Sequence, residues 1–296
     1  MGEKESLIQL KDAGRSNDPP DFFCIPLEYV YETYPPGINK TGEQCGERGL
    51  MGFYEQISKY YDCIFPAGDR QLEYIMNAAG EPPKRLLDVA CGSGGYSVAL
   101  AKAGYSVTAV DLDEKMVELA KAKTLKEGLG IKVLACNMLD IGKQFRGASF
   151  DLVFCIGNSI VHLGSKKDIL GALSQMLSVL KPGGTLVLQI INYDRIMKYH
   201  VSGLPAIVDK DIGLEFTRNY IYDKNKGIIN FNTLLTVDGA GGRETYENSI
   251  ELFPLLSGDM AELMKKAGFS GVEMYGDFVG SPYNDESYML VVKGSV

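Results

Sequence analysis

The stretch Leu86-Leu87-Asp88-Val89-Ala90-Cys91-Gly92-Ser93-Gly94-Gly95 carries the strongest chemical signal in this 296-residue sequence. An apolar run breaks into glycines, and a helix-forming segment follows. Glycine at such a turn lets the backbone approach a ligand closely and lets the helix begin tight against the sheet. The next apolar run ends in Val110-Asp111, and an acid at that point can accept both hydroxyls of a ribose. Two other readings fit part of the pattern. Any strand–helix–strand unit needs some glycine for its turn alone. A dinucleotide site would want Gly or Ala where Ser97 stands, and it has no need of an acid at Asp88.

Other reactive side chains are thinly spread. Cys24, Cys45, Cys63, Cys91, Cys136 and Cys155 form no CxxC or other close-spaced metal pattern, and with only two histidines, His162 and His200, no metal site is expected. Cys136 and Cys155 lie in or at the end of strand-like apolar runs, where a thiol behaves as a small hydrophobe. That usage points to a reducing, cytoplasmic compartment. Lys and Arg number 30 against 38 Asp and Glu, a net charge of −8 with no basic tract to offset it. A nucleic acid or an anionic membrane is therefore not an expected partner. The longest apolar runs, such as residues 186–191, are strand-sized and too short for a bilayer. The opening MGEKESLIQLKDAGRS is charged and has no apolar centre, which is not the pattern of a signal peptide.

The elements that must position the glycine-rich turn follow from periodicity. Residues 1–50 are rich in Pro and Gly, show no sustained period, and hold five basic residues against nine acidic ones. They read as an irregular extension, an arm packed on the body or on a second subunit of a homo-oligomer. Gly46-Glu47-Arg48-Gly49-Leu50 before Met51 also fits a purine-rich ribosome-binding site translated in frame, which would put the start at Met51. A chain beginning there is expected to fold. Residues 53–65 suggest a short aromatic helix, and 69–79 a helix with Leu72, Ile75, Met76 and Ala79 on one face. Strands at 85–90, 106–110, 131–135, 150–156 and 185–191 alternate with helices at 95–103, 114–127 and 167–180, the pattern of a parallel sheet covered on both faces. After Asn192 three strands are expected, at 214–222, 228–237 and 244–252, separated by the hairpin signals DKNKG and DGAGG. A helix at 259–267 and strands at 272–275 and 288–293 complete the chain.

Asp88, the D-x-x-x-G-x-G spacing and Asp111 together resemble class I S-adenosylmethionine (SAM)-dependent methyltransferases, as do Phe150-Asp151-Leu152-Val153 and Leu180-Lys181-Pro182-Gly183-Gly184 further along. The resemblance spans residues 51–296 as one domain. It implies an α/β, Rossmann-like, seven-stranded sheet of order 3-2-1-4-5-7-6 with strand 7 antiparallel, and an antiparallel insertion (193–253) after strand 5 on the substrate side. The ligand would lie across the carboxyl ends of the strands at the topological switch point. A narrower resemblance is to glycine N-methyltransferases and their sarcosine and dimethylglycine relatives. It rests on the run from Phe154 through Asn158 and His162 to Leu163, on Asn192-Tyr193-Asp194, on Arg70-Gln71-Leu72-Glu73-Tyr74, on Tyr275-Gly276-Asp277-Phe278, and on the place of the insertion.

What the resemblance implies is methyl transfer from SAM to a small-molecule acceptor, first of all an amine, leaving S-adenosyl-L-homocysteine. Acceptor oxygen or carbon, and SAM binding without transfer, are the alternatives. Asp111, with Leu112 after it, would hold the ribose. Ala90, Gly92 and Gly94 would present backbone to the methionine portion, and the Ile156 carbonyl would sit beside it. Asp88 would attract the ligand's ammonium and Arg70 its carboxylate. Asn137 and Met138 stand where the family places adenine. Tyr54 and Tyr60 would close over the site or simply pack a helix. Asn158 would meet the acceptor. His162, one helical turn on, would be a base or a hydrogen-bonded structural histidine. Tyr222 aligns with a family active-site tyrosine. One departure stands out: where glycine N-methyltransferases carry an Arg that grips the substrate carboxylate, this chain has Ile191. A buried apolar residue cannot pair with a carboxylate, so glycine is expected to be a poor acceptor and a more apolar or uncharged amine a better one. Arg195, Arg218 and Arg243 are the candidates to take over, and nothing in the sequence places them.

Overall fold

A computed structural model describes residues 57–296 apart from 146, 148 and 240. The extension expected at 1–50, and Tyr54, lie outside the described residues. A helical turn at Ser58–Tyr60 and the short α1 (Tyr61–Ile64) lead to α2 (Asp69–Ala79). Then come β1 (Arg85–Val89), α3 (Gly95–Lys102), β2 (Ser106–Asp111), α4 (Glu114–Lys126), β3 (Lys132–Ala135), α5 (Ile141–Gln144), β4 (Phe150–Cys155), α6 (Lys166–Val179), β5 (Leu180–Ile191) and α7 (Tyr193–Tyr199). Four strands follow, β6 (Gly203–Asp209), β7 (Leu214–Asp223), β8 (Ile228–Gly239) and β9 (Gly242–Leu252). The chain returns to the first sheet through α8 (Ser257–Ala267), β10 (Ser270–Tyr275) and β11 (Met289–Ser295).

The large sheet runs β3-β2-β1-β4-β5-β11-β10. Strands β1 to β5 pair in parallel, and β11 is antiparallel to both β5 and β10. Counted without the four intervening strands, this is the order 3-2-1-4-5-7-6 with strand 7 reversed. Continuous apolar runs suit these central strands because side chains of alternate parity enter two separate cores. Leu86, Leu152, Phe154 and Val187 pack with Ile75 of α2 and Leu100 of α3. Leu87, Val153, Leu186 and Leu188 pack with Leu173 and Met176 of α6 and Met264 of α8. Each such fully buried side chain contributes about 1.5–3 kcal/mol.

The second sheet, β6-β7-β8-β9, is antiparallel throughout. Its buried face joins the α6 and α8 core through Leu214, Phe216, Ile229 and Leu235. Phe216 meets Phe65 edge-on at 5.8 Å, which ties this sheet to the segment after α1. The turn between β7 and β8 is set by Asp223, whose carboxylate accepts from Asn225 N–H at 2.9 Å, and by Gly227 at φ 68°. Two elements depart from the expectation of three strands. The fourth strand, β6, carries Pro205 and pairs only with β7. Proline is tolerated there because an edge strand has one side free of ladder bonds. Helix α7 is short and is started by Asn192, whose side chain accepts from Arg195 N–H at 3.0 Å. Among the described residues no helix is long and apolar enough to cross a membrane, and no group of three or more His, Cys, Asp or Glu is placed to hold a metal.

Candidate active site

The turn after β1 is built from left-handed backbone. Ala90, Gly92 and Gly94 have φ of 59°, 54° and 78°. Gly94 has a second requirement, since a Cβ there would stand 3.0 Å from Ala120 Cβ and α3 could not start so close to α4. Ala90 holds the same conformation without being glycine, at a cost on the order of 1–3 kcal/mol. Asp88, at the end of β1, is 3% exposed and accepts a hydrogen bond from the Ser97 hydroxyl at 2.6 Å. Burial pushes its pKa up to about 7. Ser97 in the first turn of α3 thus has a task that Gly or Ala could not perform.

Asp111 is also buried, and burial raises its pKa to about 6 against the pull of backbone donors. One oxygen accepts from Gly92 N–H at 2.8 Å and the other from Asp113 N–H at 2.9 Å. It therefore locks the glycine-rich turn to the end of β2, and each oxygen retains further acceptor capacity. Leu112 beside it is 43% exposed. Asn137 accepts from Leu139 N–H at 2.9 Å and so shapes the turn that carries Met138.

A cleft of about 1410 Å³, open mouth included, starts at this turn and runs under the antiparallel sheet. Asp88, Ala90 and Ile156 line one end, and Asn158, His162 and Ile191 stand further in. Gly92, Gly94, Asp111, Leu112, Asn137 and Met138 are at the carboxyl ends of the neighbouring strands, outside the cleft wall itself. Arg70 projects from α2 at an exposed position and does not line the cleft.

Asn158 is held from three sides. Its backbone is left-handed at φ 70°. Its Oδ1 accepts from Ile191 N–H at 3.1 Å, and its Nδ2 donates to the Tyr193 hydroxyl at 3.1 Å. Gln189 supports the preceding residue, accepting from Gly157 N–H at 2.8 Å. The Asn-Tyr-Asp run is thus a positioning device. Tyr193 orients Asn158, while Asn192 and Asp194 each accept from the Tyr283 hydroxyl, at 2.7 and 2.6 Å. His162 lines the cleft with its Nδ1 shielded from solvent and without a hydrogen-bond partner. Burial lowers its pKa to about 4, so the ring is neutral at pH 7.

Two of the expected tyrosines stand outside the cleft wall. Tyr60 is not in the cleft wall and donates to Glu244 at 3.4 Å, while its neighbour Tyr61 lines the cleft and places its hydroxyl where a side chain on residue 92 would stand. Tyr222 is 39% exposed at the end of β7; the cleft residue is Tyr220, two positions earlier on the same face, 7% exposed and stacked on Phe231 at 5.4 Å. A slip of two residues preserves strand parity, so alternation alone does not separate them. Arg218 was open as a candidate and proves to be a buried cleft residue. Its signal was its place on the apolar face Leu214-Phe216-Arg218-Tyr220. Tyr96 and Tyr288, also in the wall, carried no such signal.

The α1 segment is fastened over the turn. Asp62 accepts from the Ser93 hydroxyl and from Lys123 Nζ at 2.8 Å, and Lys123 also donates to Ser93 at 3.0 Å. Ile57 and Ile64, each 1% exposed, bury the apolar side of this segment.

Comparison with known proteins places these features in a wider set. The family model described as "Methyltransferase domain" matches residues 86–184. The chain is 30% identical over 238 residues to a glycine/sarcosine N-methyltransferase of Halorhodospira halochloris, covering 78% of this chain and 82% of that one. It is 31% identical over 217 residues to the glycine N-methyltransferase of Rattus norvegicus, covering 67% and 73%. In fold it is similar to a crystal structure of an S-adenosylmethionine-dependent methyltransferase from Clostridium acetobutylicum ATCC 824, with a TM-score of 0.70, 15% identity, and coverage of 82% and 99%.

Proposed function

The chain belongs to the SAM-dependent methyltransferases, within the glycine N-methyltransferase family, and on that premise we propose that it methylates the nitrogen of a small-molecule amine. The observation that carries this reading is one continuous cleft with a buried acid, Asp88, at the glycine-rich turn and a rigidly held amide, Asn158, further in. The donor set fits SAM. Asp88 is a buried carboxylate whose raised pKa marks a place that favours a cation, which suits the donor's ammonium. The strained Ala90 allows backbone approach and Gly92 leaves room for the Tyr61 hydroxyl, with the Ile156 carbonyl alongside and Asp111 and Leu112 toward the ribose. Asn137 and Met138 follow β3 on the side that adenine would take, and Tyr61 covers the turn. Bound SAM supplies a methyl group on a sulfonium, already an excellent leaving group.

What remains for the chain is to desolvate and aim the nucleophile, which contributes roughly 7–11 kcal/mol in favourable cases. Asn158 Oδ1, fixed by Ile191 N–H and oriented by Tyr193, accepts an amine N–H and points the lone pair. His162 lines the cleft as a neutral ring whose Nδ1 is closed off from solvent. With a pKa near 4 it is a weak base, so the amine sheds its proton to water before it binds. Tyr220 closes the acceptor side. We assign the substrate side to the 193–253 insertion. The acidic charge of −8 favours a soluble metabolite over nucleic acid, handled in the cytoplasm by the enzyme alone or as a homo-oligomer.

The test is methyl transfer from isotopically labelled SAM to a panel of amines, alcohols and phenols, with product position read by mass spectrometry, beside calorimetry with S-adenosyl-L-homocysteine. Tight homocysteine-adduct binding with N-methyl products is expected. Label on oxygen or carbon, or binding without transfer, overturns the amine reading.

A further inference from the structure

Tyr96, the second residue of α3, lines the cleft at the same end as Asp88. Its hydroxyl oxygen accepts a hydrogen bond from Gly68 N–H at 3.2 Å. Burial, with the nearby Asp88 charge adding to it, pushes the Tyr96 pKa up to about 12. The hydroxyl therefore keeps its proton at neutral pH and is a donor. Among the described residues no acceptor takes that proton.

The segment that carries Gly68 is seated on the glycine-rich turn, where a Cβ on Gly95 would stand 3.4 Å from Ala67 Cβ. Gly68 is also the N-cap of α2, and glycine brings no side chain to cap that helix. Gln71 stands three residues on, the position from which a glutamine reaches back to the N-cap N–H. It is 2% exposed, and its amide lies so close over Gly68 that a Cβ there would collide with it. Its Oε1 nevertheless is shielded from solvent and has no hydrogen-bond partner, an arrangement that is costly to leave incomplete. Two acceptors thus stand by one N–H, and the Tyr96 proton has no partner within the described chain. If the hydroxyl follows a ligand, Gly68 N–H closes on Gln71. The movement then leaves no buried group unpaired and satisfies one that was.

Asp88 indicates which ligand group the hydroxyl meets. The amino-acid end of SAM carries its ammonium and its carboxylate on one carbon. With the ammonium at Asp88, the carboxylate needs a donor close by. Arg70, which the family resemblance gives that task, is not in the cleft wall, whereas Tyr96 is. We propose that Tyr96 donates its hydroxyl proton in a hydrogen bond to the carboxylate of SAM, and that Gln71 is the positioning residue that releases it by taking over Gly68 N–H. The inference rests on SAM as the methyl donor and on Asp88 as its ammonium site, and it does not depend on the acceptor.

Calorimetry on the full chain tests it with three probes: SAM, decarboxylated SAM, which keeps the sulfonium and the ammonium, and methylthioadenosine, which lacks the whole amino-acid end. In Tyr96→Phe, SAM is expected to bind about ten- to a hundredfold more weakly, with the other two probes within about twofold of wild type. Gln71→Met keeps the bulk and removes the acceptor. It is expected to weaken SAM severalfold, to spare the other two, and to add nothing for SAM on top of Tyr96→Phe, because the two residues act as one unit. If Tyr96→Phe fails to fold, Gln71→Met with the same probes decides. Unchanged SAM affinity in Tyr96→Phe overturns the inference, and equal weakening of all three probes does so too, because it marks a packing role. Decarboxylated SAM that binds the wild type as tightly as SAM also overturns it. A Tyr96 effect without a Gln71 effect overturns the exchange and leaves Tyr96 as a fixed donor. Asp88→Asn tests the premise separately, since it should weaken SAM and decarboxylated SAM alike and spare methylthioadenosine. A wild type that binds none of the three overturns the SAM reading together with this one.

Discussion

At one end of the cleft the groups that face a ligand are backbone, one buried acid and the Tyr96 hydroxyl, held by a turn between β1 and α3 a few residues long and by the start of α3. At the other end they are side chains from the segment after β4 and from β5, β6, β7, β8 and β9, brought together from over ninety residues of chain. The first end stores its strain locally, in Ala90 and in the burial of Asp88, which the Ser97 hydrogen bond offsets only in part. The second spreads its own over residues distant in the fold, in the left-handed backbone of Asn158 and the unpartnered Nδ1 of buried His162. Asn158 is satisfied by Ile191 and Tyr193 before any acceptor arrives. A local turn can be tuned for a ligand that never changes, whereas a wall assembled from several strands can be refitted residue by residue while the turn stays as it is.

The comparison breaks most visibly at Asp88. Asp88→Asn keeps the shape and the acceptor for Ser97 but removes the charge, and SAM affinity is expected to fall by a hundredfold or more, on the order of 3 kcal/mol. The ligand-free protein should move the other way. A carboxyl whose folded pKa is raised binds more protons folded than unfolded between the two values. Its contribution therefore falls as pH rises from about 4 to about 7 and is flat above that. The Asn variant is expected to be more stable at pH 8, by up to about 4 kcal/mol, and so to melt higher. In the wild type, SAM binding should weaken as pH drops through 7 and Asp88 takes up its proton. Calorimetry and thermal melts from pH 5 to 9 check both signs, and an Asn variant that is no more stable at pH 8 would contradict the strained-acid account.

Next comes Asn158→Ala, expected to lower kcat about a hundredfold with little change in SAM affinity, because a small loss of aim at the acceptor costs that much. Tyr193→Phe should give a smaller fall of the same kind, and the pair should be less than additive because they act as one unit. Steady-state kinetics on the double mutant checks this. Asp111→Ala should weaken SAM by about 1–3 kcal/mol for the lost charge-assisted bonds. Unchanged affinity in a folded variant would reject the ribose placement.

A sharper contrast is internal to β7. Tyr220→Phe should raise the acceptor KM severalfold, while Tyr222→Phe, at an exposed strand end, should stay within about 0.5 kcal/mol of wild type. The reverse result would restore Tyr222. The smallest effect belongs to the fastening over the turn. Lys123→Ala loses a partly exposed ion pair worth about 0.2–1 kcal/mol, and the loss should shrink with added salt. SAM dissociation rates at low and high ionic strength measure it.

What the sequence determined by itself is the part built from near neighbours. The alternation of apolar runs and helical faces from residue 85 to 191 leads to the parallel sheet, and the Asp88-to-Gly94 spacing marks the turn, because such signals are carried by residues within one strand–helix unit. The roles of Asp111 and Asn158 rest on motif matches, and their hydrogen bonds add the geometry: Asp111 braces the Gly92 turn and Asn158 is set by the Asn-Tyr-Asp run. β6 was not legible because Pro205 suppresses a strand signal in isolation and its edge position excuses it only once β7 is beside it. The tertiary structure alone decided which tyrosine enters the cleft, Tyr61 rather than Tyr60 and Tyr220 rather than Tyr222. Neighbouring or same-parity residues look alike in a string and differ only in what stands opposite. It also decided which arginine is buried. Arg195, Arg218 and Arg243 are chemically identical, and only the pairing of β7 with β6 and β8 turns Arg218 inward to put its charge in an apolar wall.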